Sequence, residues 1–286
     1  MAFNLKTFQT RTLTAIVFAA VMLTGLLWNH WSFFILFSII HFGCWWEYFN
    51  LLEKIHHTSI HRYIRLGFML TGFAIMVWFS GPALAINNYH LNENFPFPLS
   101  VSGIVFLAMG IFQTRQIHLK VLAAAAPGLL YISLCWGFML ALRAWGDFEN
   151  EFWNKAIPLG LVFSIWVNDT MAYMVGSFFG KKQLSKISPK KTWEGTIGGI
   201  ILAVVMIVFV FYFLWDVFSM KDWVAISLIA AIAGTFGDLF ESKLKRMAGV
   251  KDSGGLLPGH GGFLDRFDSL LFATSFVWVY LKIILW

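Results

Sequence analysis

The stretch "DRFDSLLFATSFVWVYLKIILW", residues 265–286, opens with three charged side chains and continues as an apolar run. Asp265, Arg266 and Asp268 stand at its start, and after Ser269 the residues are apolar almost to Trp286. A helix needs about 20 such residues to cross the hydrocarbon core of a bilayer. A charge at membrane depth is costly and usually marks a functional position. The stretch therefore predicts a transmembrane helix with a functional site at its mouth.

The composition places the rest of the chain in a membrane as well. Of the 286 residues, 58% are hydrophobic and 13% are charged, whereas a soluble protein carries about 25% charged residues. The apolar runs cover residues 12–28, 32–46, 66–86, 99–113, 121–144, 157–179, 195–215, 223–240 and 267–286. We therefore predict an all-α fold, a polytopic integral membrane helical bundle of about nine transmembrane helices.

The chemistry of the chain is concentrated in its second half. We predict a single membrane domain over residues 1–286, in which 1–156 form N-terminal spans with little chemistry and 157–286 form catalytic spans and cytoplasmic loops. Glu47, within "CWWEYFN", is an acidic residue of the first half, and it follows directly on the predicted span 32–46. We therefore expect Glu47 to lie at the membrane interface.

Basic residues fall very unequally on the two sides of the membrane. Threading the chain through nine spans puts all but four of the 21 lysines and arginines on one side, the exceptions being Arg143, Lys155, Lys221 and Lys282. By the positive-inside rule, the richer side is cytoplasmic. We therefore predict an integral protein of the inner cell membrane with its active site at the cytoplasmic side.

A carboxylate and a lysine cluster mark the region from residue 164 to residue 195. Asp169 lies well within an apolar span, as a functional residue or as a hydrogen-bonding link between helices. The following loop, "KKQLSKISPKK" at 181–191, holds five lysines, and the next span begins directly after it. Lysines beside the first amides of a helix suit a bound anion, although attraction to lipid headgroups would select the same charges. We predict that Lys190 and Lys191 bind nucleotide or phosphate.

Three acidic residues have the spacing of a metal site. Asp265 and Asp268 are three residues apart and so are neighbours on one helix face. Asp238 lies near the end of another span, followed by Ser242 and then Lys245 on one polar stripe. Two or three carboxylates together with substrate phosphates are the usual ligands of Mg²⁺. The alternative is that Asp265 and Asp268 only cap a helix.

The segment "SKLKRMAGVKDSGGLLPGHGGFLDRFD", residues 242–268, resembles the signature of the phosphatidate cytidylyltransferases, the CDP-diacylglycerol synthases. The segment "NDTMAYMVGSFFGKKQLSKISPKKTWEG", residues 168–195, is similar to a second conserved region of that family, with Lys181 where arginine is expected. The resemblance implies that CTP and phosphatidic acid react to give CDP-diacylglycerol and pyrophosphate. It also implies Mg²⁺, a monovalent cation such as K⁺ beside it, and a homodimer among membrane lipids, without nucleic acid.

The residues and the resemblance together predict the roles of the site. Asp238, Asp265 and Asp268 are assigned to the metal. Catalytic roles are assigned to Asp265, Asp268, Lys245, Arg246 and Ser242. Nucleotide or phosphate binding is assigned to Lys190, Lys191, Lys251, His260, Arg266 and Asp169.

Two other functions are compatible with charges at membrane depth. Another nucleotide-dependent lipid enzyme, such as a polyprenol kinase, would share the nucleotide, the metal and the membrane. A secondary transporter of an anionic substrate would also place charges and glycines within its spans. A transporter usually shows two matching halves, whereas the polar motifs here crowd the second half.

Overall fold

A computed structural model describes residues 5–114, 119–144, 151–213, 218–255 and 261–284, and it is almost entirely helical there. The helices are α1 (Leu5–Leu27), α2 (His30–His56), α3 (Arg62–Trp78), α4 (Leu91–Asn94), α5 (Pro96–Gln113), α6 (Leu119–Ala125), α7 (Cys135–Arg143), α8 (Glu151–Phe179), α9 (Trp193–Phe213), α10 (Met220–Met247) and α11 (Leu264–Ile284). A π-helical segment, Leu129–Leu134, leads into α7. Two-residue strands, β1 (Ala85–Ile86) and β2 (Tyr89–His90), form an antiparallel hairpin. The all-α prediction is confirmed.

Seven helices within the described ranges are long and apolar enough to cross a membrane, so the chain is an integral membrane protein, but the predicted count of nine is not confirmed. The predicted span 12–28 corresponds to the shorter apolar helix Thr12–Leu27. The predicted span 66–86 is interrupted, because α3 ends at Trp78 and Gly81 follows with a φ of 70°. By contrast, the predicted span 32–46 is too short, since α2 continues to His56.

The chain packs as two compact units. The first unit comprises Met1–Leu140 and Leu244–Phe267, and the second comprises Ala141–Lys243 and Asp268–Trp286. The first unit therefore includes the first half of the sequence and most of the signature segment.

Aromatic side chains on α2 form much of the core of the first unit. Phe37, Trp45 and Phe49 are fully buried there. Trp45 stacks on Phe68 of α3 with a centroid distance of 6.0 Å, and Phe37 packs against Trp136 of α7 at 5.1 Å. Rings of this size remove large apolar areas from their surroundings and favour such offset contacts. They fix α2 firmly against α3 and α7.

In the second unit, α8 packs along α9. The close approach depends on small residues, because a Cβ at Gly199 would overlap the backbone and side chain of Ala172. Small residues at helix interfaces are typical of membrane proteins, where close van der Waals packing drives association. Trp223 of α10 is fully buried against Phe211 of α9, with 4.6 Å between the ring centroids.

Candidate active site

In the first unit, Asp265 ties the end of α10 to the start of α11. Its Oδ1 accepts a hydrogen bond from Lys245 Nζ at 2.7 Å. Its Oδ2 accepts from the backbone amides of Ser253 and Gly262, both at 2.8 Å, and lies 2.9 Å from Ser253 Oγ. The carboxylate is therefore held by an ammonium and two amides. It organises the glycine-rich loop that joins the two helices.

A second carboxylate, that of Glu47 on α2, binds the same loop. Glu47 is 5% exposed. Its Oε1 accepts from the amide of Phe263 at 2.9 Å, and its Oε2 accepts from the amide of Leu264 at 2.9 Å and from Ser253 Oγ at 2.7 Å. Unpaired amides at a helix N-terminus favour negative charge, so Glu47 caps α11 from a distant part of the chain.

The glycines of the loop make room for Glu47. A Cβ at Gly254 or at Gly262 would overlap the Glu47 carboxylate. Gly261 has a φ of 80°, a conformation that residues with a side chain rarely adopt. The glycine-rich composition therefore follows from the close approach of backbone to a buried carboxylate.

The prediction that Glu47 lies at the membrane interface stays a prediction, but the end that hydropathy gave to its span was wrong, for a physical reason. The apolar run was taken to end at residue 46, whereas α2 continues to His56, so Glu47 lies inside the helix. An acid followed by nine further helical residues is a candidate for a buried role, and extending the span would have revealed it. Its partners are more than 200 positions away in the sequence, and no local pattern identifies them.

In the second unit, Lys191 forms an ion pair with Asp238. Ser242 Oγ, one turn further along α10, donates to Asp238 Oδ1 at 3.4 Å. Burial by itself lowers the pKa of Lys191, but the attraction of Asp238, with smaller contributions from Asp169 and Asp268, outweighs it and raises that pKa. Lys191 is therefore charged at neutral pH.

Asp268 lies at the centre of an acidic group in the second unit. It is 8% exposed, and its Oδ1 accepts from the amide of Ser269 at 2.6 Å. The carboxylates of Asp238, Glu241 and Asp169 interact with it electrostatically. Like charges held together in a partly buried place repel one another unless a cation compensates them.

The predicted metal ligands are thus divided between the two units, with Asp265 in the first and Asp238 and Asp268 in the second. Among the residues that the structure describes, no group of three or more His, Cys, Asp or Glu side chains is arranged to hold a metal ion. The assignment of these three aspartates to a metal stays a prediction.

The remaining predicted residues lie on loops or at helix ends. Arg246, Lys251, Arg266 and Lys190 are exposed. Arg246 also donates to the carbonyl of Val250 at 3.3 Å. His260 lies outside the described residues. The exposed cations are accessible to an anionic ligand.

The lysine loop is ordered by one acid and one hydroxyl. Glu194 Oε2 accepts from the amides of Lys181 and Lys182, both at 3.1 Å. Thr192 Oγ1 accepts from the amide of Gly195 at 3.1 Å and so caps α9. One of the first amides of α9 is therefore already paired, which leaves the lysines as the main feature that favours an anion there.

Comparison with known proteins gives a consistent result. The profile of the cytidylyltransferase family matches residues 9–284. The phosphatidate cytidylyltransferase of Thermotoga maritima is 38% identical over 193 residues, which are 65% of this chain and 68% of that protein. The Synechocystis enzyme of the same name is 34% identical over 221 residues, 68% of this chain and 73% of that protein.

A shorter match has higher identity. The phosphatidate cytidylyltransferase of Staphylococcus aureus is 49% identical over 111 residues, which are 38% of this chain and 42% of that protein. Because the family profile spans nearly the whole sequence, the relationship does not rest on the short motifs alone. The chain belongs to the cytidylyltransferase family.

Proposed function

We infer that this protein transfers the cytidylyl group of CTP to phosphatidate, giving CDP-diacylglycerol and pyrophosphate. The family profile and the relatives named phosphatidate cytidylyltransferase support this reaction over a polyprenol kinase or a transporter. The observation that carries the proposal is the signature segment itself. Within it, Asp265 binds Lys245, Ser253 and Gly262, and Glu47 binds Phe263.

The reaction depends on compensating the negative charge of its substrates more than on proton transfer. An oxygen of the lipid phosphate, already ionised near neutral pH, forms a bond to the α-phosphorus of CTP. The bond from that phosphorus to the bridging oxygen of the β-phosphate breaks, and pyrophosphate leaves with the electron pair. Two polyanions must meet, so catalysis rests mainly on positioning and electrostatic stabilisation.

The cationic side chains around the loop supply part of that stabilisation. Lys245 is fixed by Asp265, while Arg246, Lys251 and Arg266 are exposed around the same loop. Arginine binds phosphate oxygens as a planar fork and lysine as a point charge. We assign Lys245 and Arg246 to the transferred phosphate, and Lys251, Arg266 and His260 to the remaining phosphates.

The donor chemistry of the second unit fits a divalent cation. Carboxylate oxygens are the ligands that Mg²⁺ prefers, and the acidic group around Asp268 has negative charge to offset. Asp238 and Asp268 would hold the ion, and a monovalent cation such as K⁺ is proposed beside it, while the assignment of Asp265 to the metal stays a prediction from the sequence. When bound, Mg²⁺ would neutralise charge on the phosphate oxygens.

The proposal extends to the location and the assembly of the protein. We place it in the inner cell membrane as a homodimer, with the loops at 180–194 and 241–262 on the cytoplasmic side. The unequal distribution of lysine and arginine supports this orientation.

One experiment separates the candidate enzyme functions. The purified protein in detergent is given CTP, Mg²⁺ and either phosphatidate or a polyprenol. A cytidylyltransferase releases pyrophosphate with phosphatidate, whereas a kinase releases CDP with the polyprenol. Release of CDP without pyrophosphate would overturn the proposed function.

A further inference from the structure

A polar cavity lies in the first unit, between the end of α2 and the glycine-rich loop. Its volume is about 630 Å³, and its lining consists of Asn50, Glu53, Lys54, Asp252, Ser253, Gly254 and Gly255. That volume is within the usual range of about 300–1,000 Å³ for small-molecule sites. None of the lining side chains that the structure describes is apolar, so this part of the cavity suits a polar ligand.

The α2 side of the cavity is held by an arginine on α3. Arg65 donates from one nitrogen to Asn50 Oδ1 at 3.0 Å and pairs from another with Glu53 Oε2 at 2.6 Å. Glu53 Oε1 also accepts from the amide of Ile60 at 2.6 Å. Because its oxygen accepts from Arg65, the amide group of Asn50 presents its N–H donors as its remaining hydrogen-bonding groups, and no partner for them is found among the described residues.

The loop side of the cavity is equally fixed. Ser253 is bound through its hydroxyl to Glu47 and through its amide to Asp265. Gly254 lies directly against the Glu47 carboxylate. The cavity therefore adjoins the loop that carries the signature residues, and its walls are preorganised.

The side chains of the lining favour some parts of CTP and phosphatidate over others. Among the described lining residues an acyl chain finds no apolar side chain. Glu53 is already paired with Arg65, but a triphosphate would still meet the carboxylate of Asp252, with one ammonium, that of Lys54, in the same lining. A nucleoside has the complementary groups, because the amino group of cytosine donates well to a carboxylate and its N3 and O2 accept from an amide. Ribose hydroxyls also donate to carboxylates.

We propose that this cavity binds the nucleoside part of CTP, with Asp252 accepting from the cytosine amino group and Asn50 donating to the acceptor edge of the base. The proposal rests on the proposed function, since it concerns the nucleotide of that reaction. UTP would place a carbonyl oxygen where cytosine has its amino group, so the Asp252 carboxylate disfavours it. The cavity thereby gives a physical basis for the selection of CTP.

The test uses two substitutions that leave the walls of the cavity intact. Asp252→Asn keeps the shape of an exposed side chain but replaces a charged acceptor with an amide. Asn50→Asp keeps the acceptor for Arg65 but removes both donors into the cavity. Glu93→Gln, an exposed acid on α4, is the matched control. Kinetics are measured in detergent with CTP, dCTP and UTP, beside a thermal melt.

We expect each cavity variant to raise the KM for CTP by about tenfold, as the loss of a hydrogen bond to a charged group implies. The KM for phosphatidate should stay unchanged, and the preference of Asp252→Asn for CTP over UTP should fall. Cytidine should compete with CTP in the wild type and less in the variants, and the dCTP arm reports any contact to the 2′-hydroxyl.

Three outcomes would overturn the proposal: an unchanged KM for CTP in both variants, an equal rise in the KM for phosphatidate, or the same change in Glu93→Gln. If Asp252→Asn fails to fold, Asn50→Asp decides the question by the same criteria. A wild-type protein that releases no pyrophosphate from CTP would instead refute the proposed function.

Discussion

Replacing Glu47 with glutamine tests the loop architecture sharply, because it removes one charge and preserves the size of the side chain. One carboxylate oxygen accepts from the amide of Phe263 and the other from the amide of Leu264, each at 2.9 Å. Glutamine has a single acceptor oxygen, so its NH₂ group must face one of these amides. The substitution therefore loses a charge-assisted bond and leaves a buried donor unpaired.

The magnitude follows from these two losses. Together they cost on the order of 3 kcal/mol, which corresponds to a shift of about a hundredfold between the anchored and the released loop. A folded protein has a stability of about 5–15 kcal/mol, so the fold should survive while the anchoring weakens. We expect kcat/KM for CTP to fall by about 10- to 100-fold.

The assay combines pyrophosphate release, a thermal melt and limited proteolysis of the loop between α10 and α11. Thr274→Val is the matched control, because Thr274 is a buried residue of α11 whose hydroxyl donates only within its helix, to the carbonyl of Leu270 at 2.7 Å, among the described contacts. The Gln variant should be cleaved faster in the loop and the control should not. A Gln variant with wild-type kcat/KM and wild-type proteolysis would refute the anchoring role.

Further predictions concern the loop, the two aspartates of α11 and the topology. Gly262→Ala should lower activity and cost about 1–3 kcal/mol of stability, because its Cβ overlaps the Glu47 carboxylate; a melt and a pyrophosphate assay check this. Asp268→Asn should abolish turnover at ordinary Mg²⁺ with a near-normal melt, and a Mg²⁺ titration should restore part of it by mass action. Asp265→Asn should also lower the melting temperature, by removing the charge that pairs with Lys245 and binds the loop amides; a wild-type melt would contradict this. A cysteine at Ser185 on a cysteine-free background should react with an impermeant maleimide only after the membrane is opened, and labelling of intact cells would contradict the topology.

Hydropathy was sufficient to predict the all-α membrane fold, because an apolar run of bilayer length has few alternatives to a helix, although the count of nine spans is not confirmed. It was less reliable for the ends of the helices. The run 66–86 was counted through Gly81, although α3 ends at Trp78. The run 32–46 was stopped at a single acid, although α2 continues to His56. Both errors arise because hydropathy averages over residues, whereas helix ends depend on individual residues and their partners.

The site was predictable where its partners are close in sequence and not where they are distant. The signature residues identified the loop, and the sequence analysis assigned Lys245 and Asp265 to one catalytic site. The loop's support by Glu47 and the cavity beside Asn50 depend on α2, which lies about 200 positions earlier in the chain. A single sequence gives no signal for contacts between such distant residues, because these contacts form only when the chain packs.

Asp265 and Asp268 are neighbours at the N-terminus of α11, but their surroundings favour different roles. Asp265 already accepts from an ammonium and two amides, so its charge is compensated and a cation gains little by approaching it. Asp268 accepts from one amide and interacts with three further carboxylates in its own unit, for which Lys191 supplies one positive charge, so a divalent cation would relieve the remaining repulsion there. We therefore expect Asp265 to act chiefly by holding the glycine-rich loop and Lys245 in position, and Asp268 chiefly by attracting the metal. The spacing of three residues, which suggested a shared metal site, is equally suited to placing a loop anchor and a metal ligand at the start of one helix.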